Sequence, residues 1–461
     1  MLAASAAAST SCTRHGDEVS VGDVSQMERI EVERIARPGS TADIQQLLQA
    51  TGEPVSIAGA RYSMGGQIAA PGSLHLDMDG MNRMIRLDTA RRIARVQAGM
   101  RWRDLQDALD PHDLAVRIMQ SYSNFSIGGS VSVNCHGRYV GAGPLAHSIR
   151  ALQLVTADGQ VRELDREKEP SLFAAVIGGY GGLGVITEVE LDLAANEKMA
   201  RHAERVALED YPRYFLDKVQ GNPGVIMHNA DLAPPHFDKP LAINWVRSDA
   251  PLTETRRLLP RKLDYSRQQN LIWSASELPM SEELRDRYLT DRILHEKPVV
   301  MRNFEASQDT ASLEPRTRMV STYLLQEYFI PVAAFLPFAK RMAEILRMHD
   351  VSALNVSIRH SPADTVSLLR WAPTEVFSFV LYYKQRSTSR ADRASERWTR
   401  LLIDAALSMG GRYYLPYRLH ATGSQFRAAY PELPAFAAIK GKVDPDYRFR
   451  NLLWDKYLPL I

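Results

Sequence analysis

Apolar positions recur at two periods along this chain, and each period predicts its own elements. Ile44, Leu47 and Leu48 share one face of a helical period, which Ser40 and Asp43 open as a capping box and Gly52 closes. Residues 54–58 form a short apolar run that reads as a strand, and the alternation Leu74, Leu76, Met78 reads as a half-buried one. Residues 84–87 and 93–98 pair around a polar turn. Gly99 leads into a helix carrying Trp102, Leu105 and Leu109. Residues 151–156 and 161–164 flank Asp158-Gly159, a strong hairpin signal. A helix over 170–177 runs into a glycine cluster, and a strand follows with Val185, Thr187, Val189 and Leu191 on one face.

Past residue 197 the texture changes. Glycine thins out, and prolines break up 200–316. From Tyr323 an apolar strand runs to Ile330. Pro331 follows, then a helix with Phe335, Phe338, Met342, Ile345 and Leu346. Strands at 353–358 and 376–383 precede a long helix carrying Trp398, Leu401, Leu402, Ala405 and Met409, which stops at Gly410-Gly411. Residues 413–419 read as a last strand. Two strand–helix–strand passes suggest a sheet with helices on one face, so the fold class is α+β. The boundaries expected are a disordered tail over 1–26, a first unit over 27–196, a second over 197–425 and a C-terminal segment over 426–461.

Composition narrows the classes. Among 461 residues, 56 Lys+Arg stand against 54 Asp+Glu, too even a balance for a protein that neutralises nucleic-acid phosphates. No apolar run reaches the roughly 18–20 residues of a spanning helix. The two cysteines, Cys12 and Cys135, allow neither a disulfide framework nor a cysteine-based zinc site, and no metal is expected. The opening MLAASAAASTSC lacks the basic start and long apolar core of an export signal. A tail on a cytoplasmic protein is the expectation, with a truncated export signal as the alternative.

Three glycine elements carry the candidate chemistry. Gly179 to Gly184 satisfy G-x-G-x-x-G, but a helix precedes and a strand follows, the reverse of a dinucleotide fingerprint. Residues 59–66 follow a strand without the Lys-Ser/Thr of a P-loop. Arg61, Ser63, Gly65 and Gly66 there either offer N–H groups to an anion or make a plain turn. Ser126-Ile127-Gly128-Gly129 is the third, with Asn134-Cys135-His136-Gly137 soon after.

In their order along the chain, 59–66, 126–137 and 178–186, the three elements resemble the FAD-binding domain of the vanillyl-alcohol-oxidase and p-cresol-methylhydroxylase (PCMH) flavoproteins. Gln326-Glu327-Tyr328-Phe329-Ile330-Pro331, Leu354-Asn355-Val356-Ser357, Gly410-Gly411-Arg412-Tyr413-Tyr414 and Lys442-Val443-Asp444-Pro445 resemble the branch of alditol, aldonolactone and decaprenylphosphoryl-ribose oxidases. The resemblance implies a two-lobed FAD-binding domain of two α+β subdomains over 27–196. It implies a substrate or cap domain, an antiparallel sheet covered by helices, and a C-terminal segment returning to the FAD domain. The implied activity is oxidation of an alcohol of a polyol, sugar, lactone or sugar-lipid substrate, with O2 or another electron acceptor. A carbon–carbon desaturating dehydrogenase or reductase of the same fold, or a flavin-binding protein without turnover, is the alternative.

The FAD positions implied are Ala58, Gly59, Ala60, Arg61, Tyr62, Ser63, Gly65, Gly66, Gln120, Asn124, Ser126, Ile127, Gly128, Gly129, Asn134, His136, Gly137, Gly179, Gly182, Gly184, Val185 and Ile186. Tyr62 stands where covalent members carry the tethering histidine, and 115–129 holds no cysteine, so noncovalent FAD is expected. Tyr417-Arg418 stands where polyol oxidases place a lysine against the flavin, and either residue is a candidate for stabilising its reduced form. Glu327 sits mid-strand among apolar residues. It is either a base whose pKa burial raises or half of a structural ion pair with a buried arginine. His136 is a second base or an orienting group. Asn355 and Ser357 share a face that Arg359 continues, suited to hydrogen-bonding a polar substrate.

Overall fold

The computed structural model describes residues 19–277, 290–315 and 317–460. The export-signal question falls on residues 1–18, outside the described residues. Order begins earlier than the sequence suggests. Val19–Gly22 is a strand paired antiparallel with Arg29–Val32, and Val21, Ile30 and Val32 are buried with Ala58 and Ile68. The expected tail is therefore corrected from residue 19 onward: a four-residue strand is too short to leave a periodic signal.

Two sheets carry the glycine elements. Arg34–Ala36, Leu74–Asp77 and Val55–Ala58 form a parallel sheet with Leu74–Asp77 in the centre. The helix Thr41–Ala50 packs Ile44 and Leu48 into the same core, and its capping box at Ser40 and Asp43 is formed. All four residues of Leu74–Asp77 are buried, which corrects the half-buried reading. A central parallel strand is covered on both faces; His75 Nδ1 meets Ser56 Oγ at 2.9 Å, while its buried Nε2 has no partner among the described residues. The second sheet is antiparallel, in the order Val161–Asp165, Ile149–Val155, Val185–Ala195, Ile93–Gln97, Met84–Asp88. Leu114–Val116 pairs with the far end of Val185–Ala195.

An eight-stranded antiparallel sheet forms the remainder. Its order is Val299–Met301, Lys198–Arg205, Leu241–Arg247, Val225–Leu232, Ala353–Ser361, Val376–Arg386, Ser321–Pro331, Arg412–Tyr413. The first four of these strands come from the stretch whose pattern was illegible. Phe335–Met348 and Ser389–Ser408 are the two long helices, and Tyr328 and Phe379 meet Phe338 and Phe335 on the face they cover. Period two then forces Leu325, Glu327 and Phe329, with Ser378 and Tyr382 opposite, onto the other face. The strand expected over 413–419 shrinks to Arg412–Tyr413. Pro416 has no N–H to give a ladder, and its carbonyl instead accepts from Met64 N–H at 2.7 Å.

The C-terminal stretch clasps the glycine turn at 179–184. Lys440 Nζ donates to the Gly182 carbonyl at 2.7 Å, and Trp454 Nε1 to the Gly179 carbonyl at 3.1 Å. The turn itself lies between the helix Pro170–Val176 and the strand Val185–Ala195, the order that excludes a Rossmann site. Among the described residues, no helix is long and apolar enough to cross a membrane, and no cluster of His, Cys, Asp and Glu could hold a metal ion.

Candidate active site

A cleft, open at its mouth, lies between the glycine loops and the uncovered face of the large sheet. Ala58, Gly59, Ala60, Arg61, Tyr62 and Ser63 form one wall. The N–H groups of Arg61, Tyr62 and Ser63 find no acceptor among the described residues, so they are free for a ligand. Arg61 supports this loop in the left-handed region, φ 61°, with its guanidinium on Asp77 at 3.2 Å.

Gly128 and Gly129 line the facing wall with Gln120, Ser126, Ser130 and Ser132. A Cβ at Gly128 would stand 2.7 Å from that of Ala98, and one at Gly59 would strike Ser126 Oγ. The two loops therefore touch through glycine, and Ser126 Oγ accepts from Ala60 N–H at 3.1 Å. Gly184 and Ile186 close the cleft from below. Tyr62 reaches across instead of outward: its hydroxyl meets Thr310 Oγ1 at 3.0 Å and its ring lies 4.6 Å from that of Phe125.

Other expected cofactor positions stand behind this wall. Gly65 and Gly66 pack against the Tyr417 carbonyl and Leu452, and Gly137 against the Met119 carbonyl and Tyr139. Gly179 and Gly182 pack against the Ala175 carbonyl and Trp454. Ile127 and Val185 are core residues. Asn124 Nδ2 binds Asp309 at 3.0 Å, and the buried Asn134 donates to Asp364 at 2.8 Å. These nine positions shape the loops without lining the cleft, a distinction that spacing alone does not make.

At the sheet end the cleft closes on Glu327, which is 2% exposed. His136 Nε2 donates to its Oε1 at 2.5 Å, Ser378 Oγ to the same oxygen at 2.5 Å, and Tyr417 Oη to Oε2 at 3.1 Å. Burial pushes this carboxyl up, but His136, the Arg359 guanidinium and Ser378 together outweigh it, and the net effect is a pKa below the ordinary carboxylate value. The expected upward shift is thus corrected, because the buried partner is a histidine donating directly. Tyr417 is held well above the usual phenol range by burial and by the Glu327 charge.

The His136 ring sits among Trp371, Phe329 and Tyr414, with centroids at 4.9, 5.5 and 6.1 Å. Trp371 Nε1 donates to the Asn134 carbonyl at 2.8 Å and Tyr414 Oη to the Val133 carbonyl at 2.8 Å, which fixes the histidine loop against the large sheet. Nε2 is engaged by Glu327, and Nδ1 has no partner among the described residues.

Three expected catalytic residues lie elsewhere. Arg418 is turned away, donating to Glu28 at 2.7 Å and Asp392 at 2.9 Å, so of the pair it is Tyr417 that faces the cleft. Asn355 and Ser357 occupy the uncovered sheet face but spend their side chains on Asp231. Arg359, two residues on, lines the cleft. Gln67 is a further lining residue that the sequence left silent. Its Oε1 accepts from Gly65 N–H at 2.9 Å, and its Nε2 donates to the carbonyls of Leu415 and Tyr417 at 2.7 and 2.8 Å. A polar residue just past a glycine loop was the available signal.

Comparison with known proteins agrees with this geometry. A family model described as an FAD binding domain matches residues 32–165. The chain is 25% identical over 424 residues to an L-gulono-1,4-lactone dehydrogenase of Mycobacterium tuberculosis, covering 90% of this chain and 94% of that protein. It is 23% identical over 439 residues to the decaprenylphosphoryl-beta-D-ribose oxidase of Mycolicibacterium smegmatis, covering 89% and 92%. A Streptomyces alditol oxidase is 32% identical over 171 residues, 36% of this chain and 40% of its own length.

Proposed function

Because the chain belongs to the PCMH-type FAD-binding flavoproteins and is an FAD-linked enzyme acting on CH–OH groups, we propose that it oxidises one hydroxyl-bearing carbon of a polyol, sugar, lactone or sugar-lipid substrate. FAD, when bound, supplies the hydride acceptor. Its pyrophosphate would be held by the free N–H groups of Arg61, Tyr62 and Ser63 and by the close approach of Gly59 to the Ser126–Gly129 wall. The Tyr62 hydroxyl is spent on Thr310, which supports a noncovalent cofactor. Acid precipitation should then release the flavin into the supernatant; yellow colour kept in the washed pellet would overturn this point.

The carrying observation is the Glu327 network. A carboxylate that already accepts from His136, Ser378 and Tyr417 and lies below its ordinary pKa is a poor proton acceptor. It is well suited to orienting a histidine. With Nε2–H fixed on Glu327, Nδ1 is the ring atom left to take the substrate hydroxyl proton. Glu327 stabilises the imidazolium that results, in the manner of a base oriented by a third group. Tyr417 keeps its proton and remains a donor at this end of the cleft. Mixing the oxidised protein without oxygen with alditols, aldoses and aldonolactones tests the reading. Bleaching of the flavin by one class is the expected result. A protein that binds FAD yet is bleached by none of them would overturn it.

A further inference from the structure

The glycine turn at 179–184 spends its carbonyls on the C-terminal segment. Trp454 Nε1 donates to the Gly179 carbonyl at 3.1 Å, Asn451 Nδ2 to that of Tyr180 at 2.8 Å, and Lys440 Nζ to that of Gly182 at 2.7 Å. The two polar donors are fixed from behind. Asn451 Oδ1 accepts from the N–H groups of Leu453 and Trp454 as the cap of the helix Leu452–Tyr457, so its amide nitrogen can only face the turn. The buried Lys440 ammonium has its other protons on Asp444 Oδ2 at 2.6 Å and the Phe449 carbonyl at 3.0 Å. Residues 448–450 are tied in turn to the strand Val55–Ala58, which leads into the 59–66 loop. Val55 N–H donates to the Arg448 carbonyl at 2.6 Å, and Arg450 N–H to that of Val55 at 2.9 Å.

A trans peptide carries its C=O and N–H on opposite edges. With the Tyr180 carbonyl drawn to Asn451, the N–H of Gly181 stands on the far edge of that plane. Gly181 lines the cleft, and its N–H has no acceptor among the described residues. Tyr180 itself stands in the left-handed region, φ 49°, held there by the Asn451 bond and by its own N–H on the Ser132 carbonyl at 2.9 Å. A non-glycine residue persists in that region when its surroundings over-determine it. Because a helix precedes the turn and a strand follows it, no helix N-terminus supplies donors here. They are set one peptide plane at a time.

We propose that Asn451, with Lys440 steadying the other end of the turn, is a positioning residue for the cofactor: it holds the Tyr180 carbonyl away from the cleft, so that Gly181 N–H is presented as a donor to bound FAD. This rests on reading the cleft as an FAD site. The C-terminal segment then belongs to the cofactor site without lining the cleft. Asp444, in the 442–445 motif, has its part as the counter-charge that lets an ammonium be buried against the turn.

The test follows the purified holoprotein and its Asn451→Ser and Asn451→Asp variants, both of which keep a capping oxygen and lose the amide donor. FAD release on dilution is read from the rise in flavin fluorescence. Hydrogen exchange of the Gly181 amide is read by mass spectrometry of the peptide spanning 178–184. In the unaltered protein this amide is expected to exchange about tenfold or more slower with FAD bound than after FAD is removed. Both variants should release FAD about tenfold faster, as the loss of one well-made hydrogen bond requires. They should also lose the FAD-dependent protection of Gly181, while their FAD-free melting midpoints stay close to the parent's. Parent-like release in both variants, or a Gly181 amide that FAD does not slow in the unaltered protein, would overturn the proposal. So would variants that lose FAD only as the FAD-free midpoint collapses, because Asn451 would then serve the fold. A purified protein that neither carries nor takes up FAD defeats the flavin reading itself, and the proposal with it.

Discussion

At the residue scale, His136 and Glu327 act as one unit, and this has kinetic consequences. Glu327→Gln keeps the shape but can present an amide N–H to His136, setting the wrong tautomer. His136→Asn removes the base. Each is expected to slow flavin reduction by about 10²–10⁴, measured by stopped flow without oxygen. The double variant should be no slower than the slower single one, because removing one member of a unit already removes what the other does. Additive losses would mean that the two act separately. Glu327 lies below the ordinary carboxylate range, so its titration should not limit activity until pH falls below about 4.5. Gln67 belongs to the same scale by another route. It ties Gly65 to Leu415 and Tyr417, so Gln67→Leu should lower kcat several-fold with KM and flavin content nearly kept. A loss of flavin in that variant would move Gln67 from positioning the Tyr417 phenol to building the cofactor wall.

At the element scale, the two glycine loops matter through their contact. Gly59→Ala drives a methyl into Ser126 Oγ, and Gly128→Ala brings one to 2.7 Å from Ala98 Cβ. Both variants are expected to fold and to lose most bound FAD, read as the ratio of flavin to protein absorbance. Full occupancy in either would remove the loops from the cofactor site. Elements with a clean period were legible: the capped helix Thr41–Ala50, the hairpin around Asp158-Gly159, and Ser321–Pro331 with the helix after it. Those that failed did so for physical reasons. Leu74–Asp77 is buried on both faces, so alternation says nothing about it. Val225–Leu232 and Leu241–Arg247 bury His228, Asn229 and Asn244 in a hydrogen-bonded core, which makes core strands look like loops. Ile127–Ser132 is a helix written with two glycines. The candidate site was partly legible: Glu327, His136 and Tyr417 converge. The opposite fate of Arg418 depends on Glu28, 390 residues away, and no local pattern carries a contact of that range.

For the whole molecule, two sheets on either side of the cleft each bury a histidine that burial holds neutral. His75, in the parallel sheet, and His228, in the large one, are both pushed down to about 4, His75 with help from the Arg61 charge. Their partners suit the neutral ring: Ser56 for His75, Tyr211 and Asn244 for His228. In the unfolded chain both titrate near the ordinary histidine value of about 6.5. Between about pH 6.5 and 4 the unfolded state therefore binds more protons than the folded one, and stability falls as pH falls. At 1.36 kcal/mol per unit, each site is worth roughly 3 kcal/mol across that window. Glu327 has the same sign in a lower window. Its folded pKa is depressed, so its contribution is complete above the carboxylate range and is lost only as pH drops through the folded value. Acid should thus loosen the scaffold on both sides of the cleft before it discharges Glu327. Melting curves from pH 7.5 to 4.5 should show the midpoint falling most steeply below pH 6.5. His75→Gln and His228→Gln should each melt lower at pH 7.5 yet lose less on acidification, because one titrating site is gone. A midpoint that stays level from pH 6.5 to 4.5, or variants with the parent slope, would mean that these histidines do not govern the acid response.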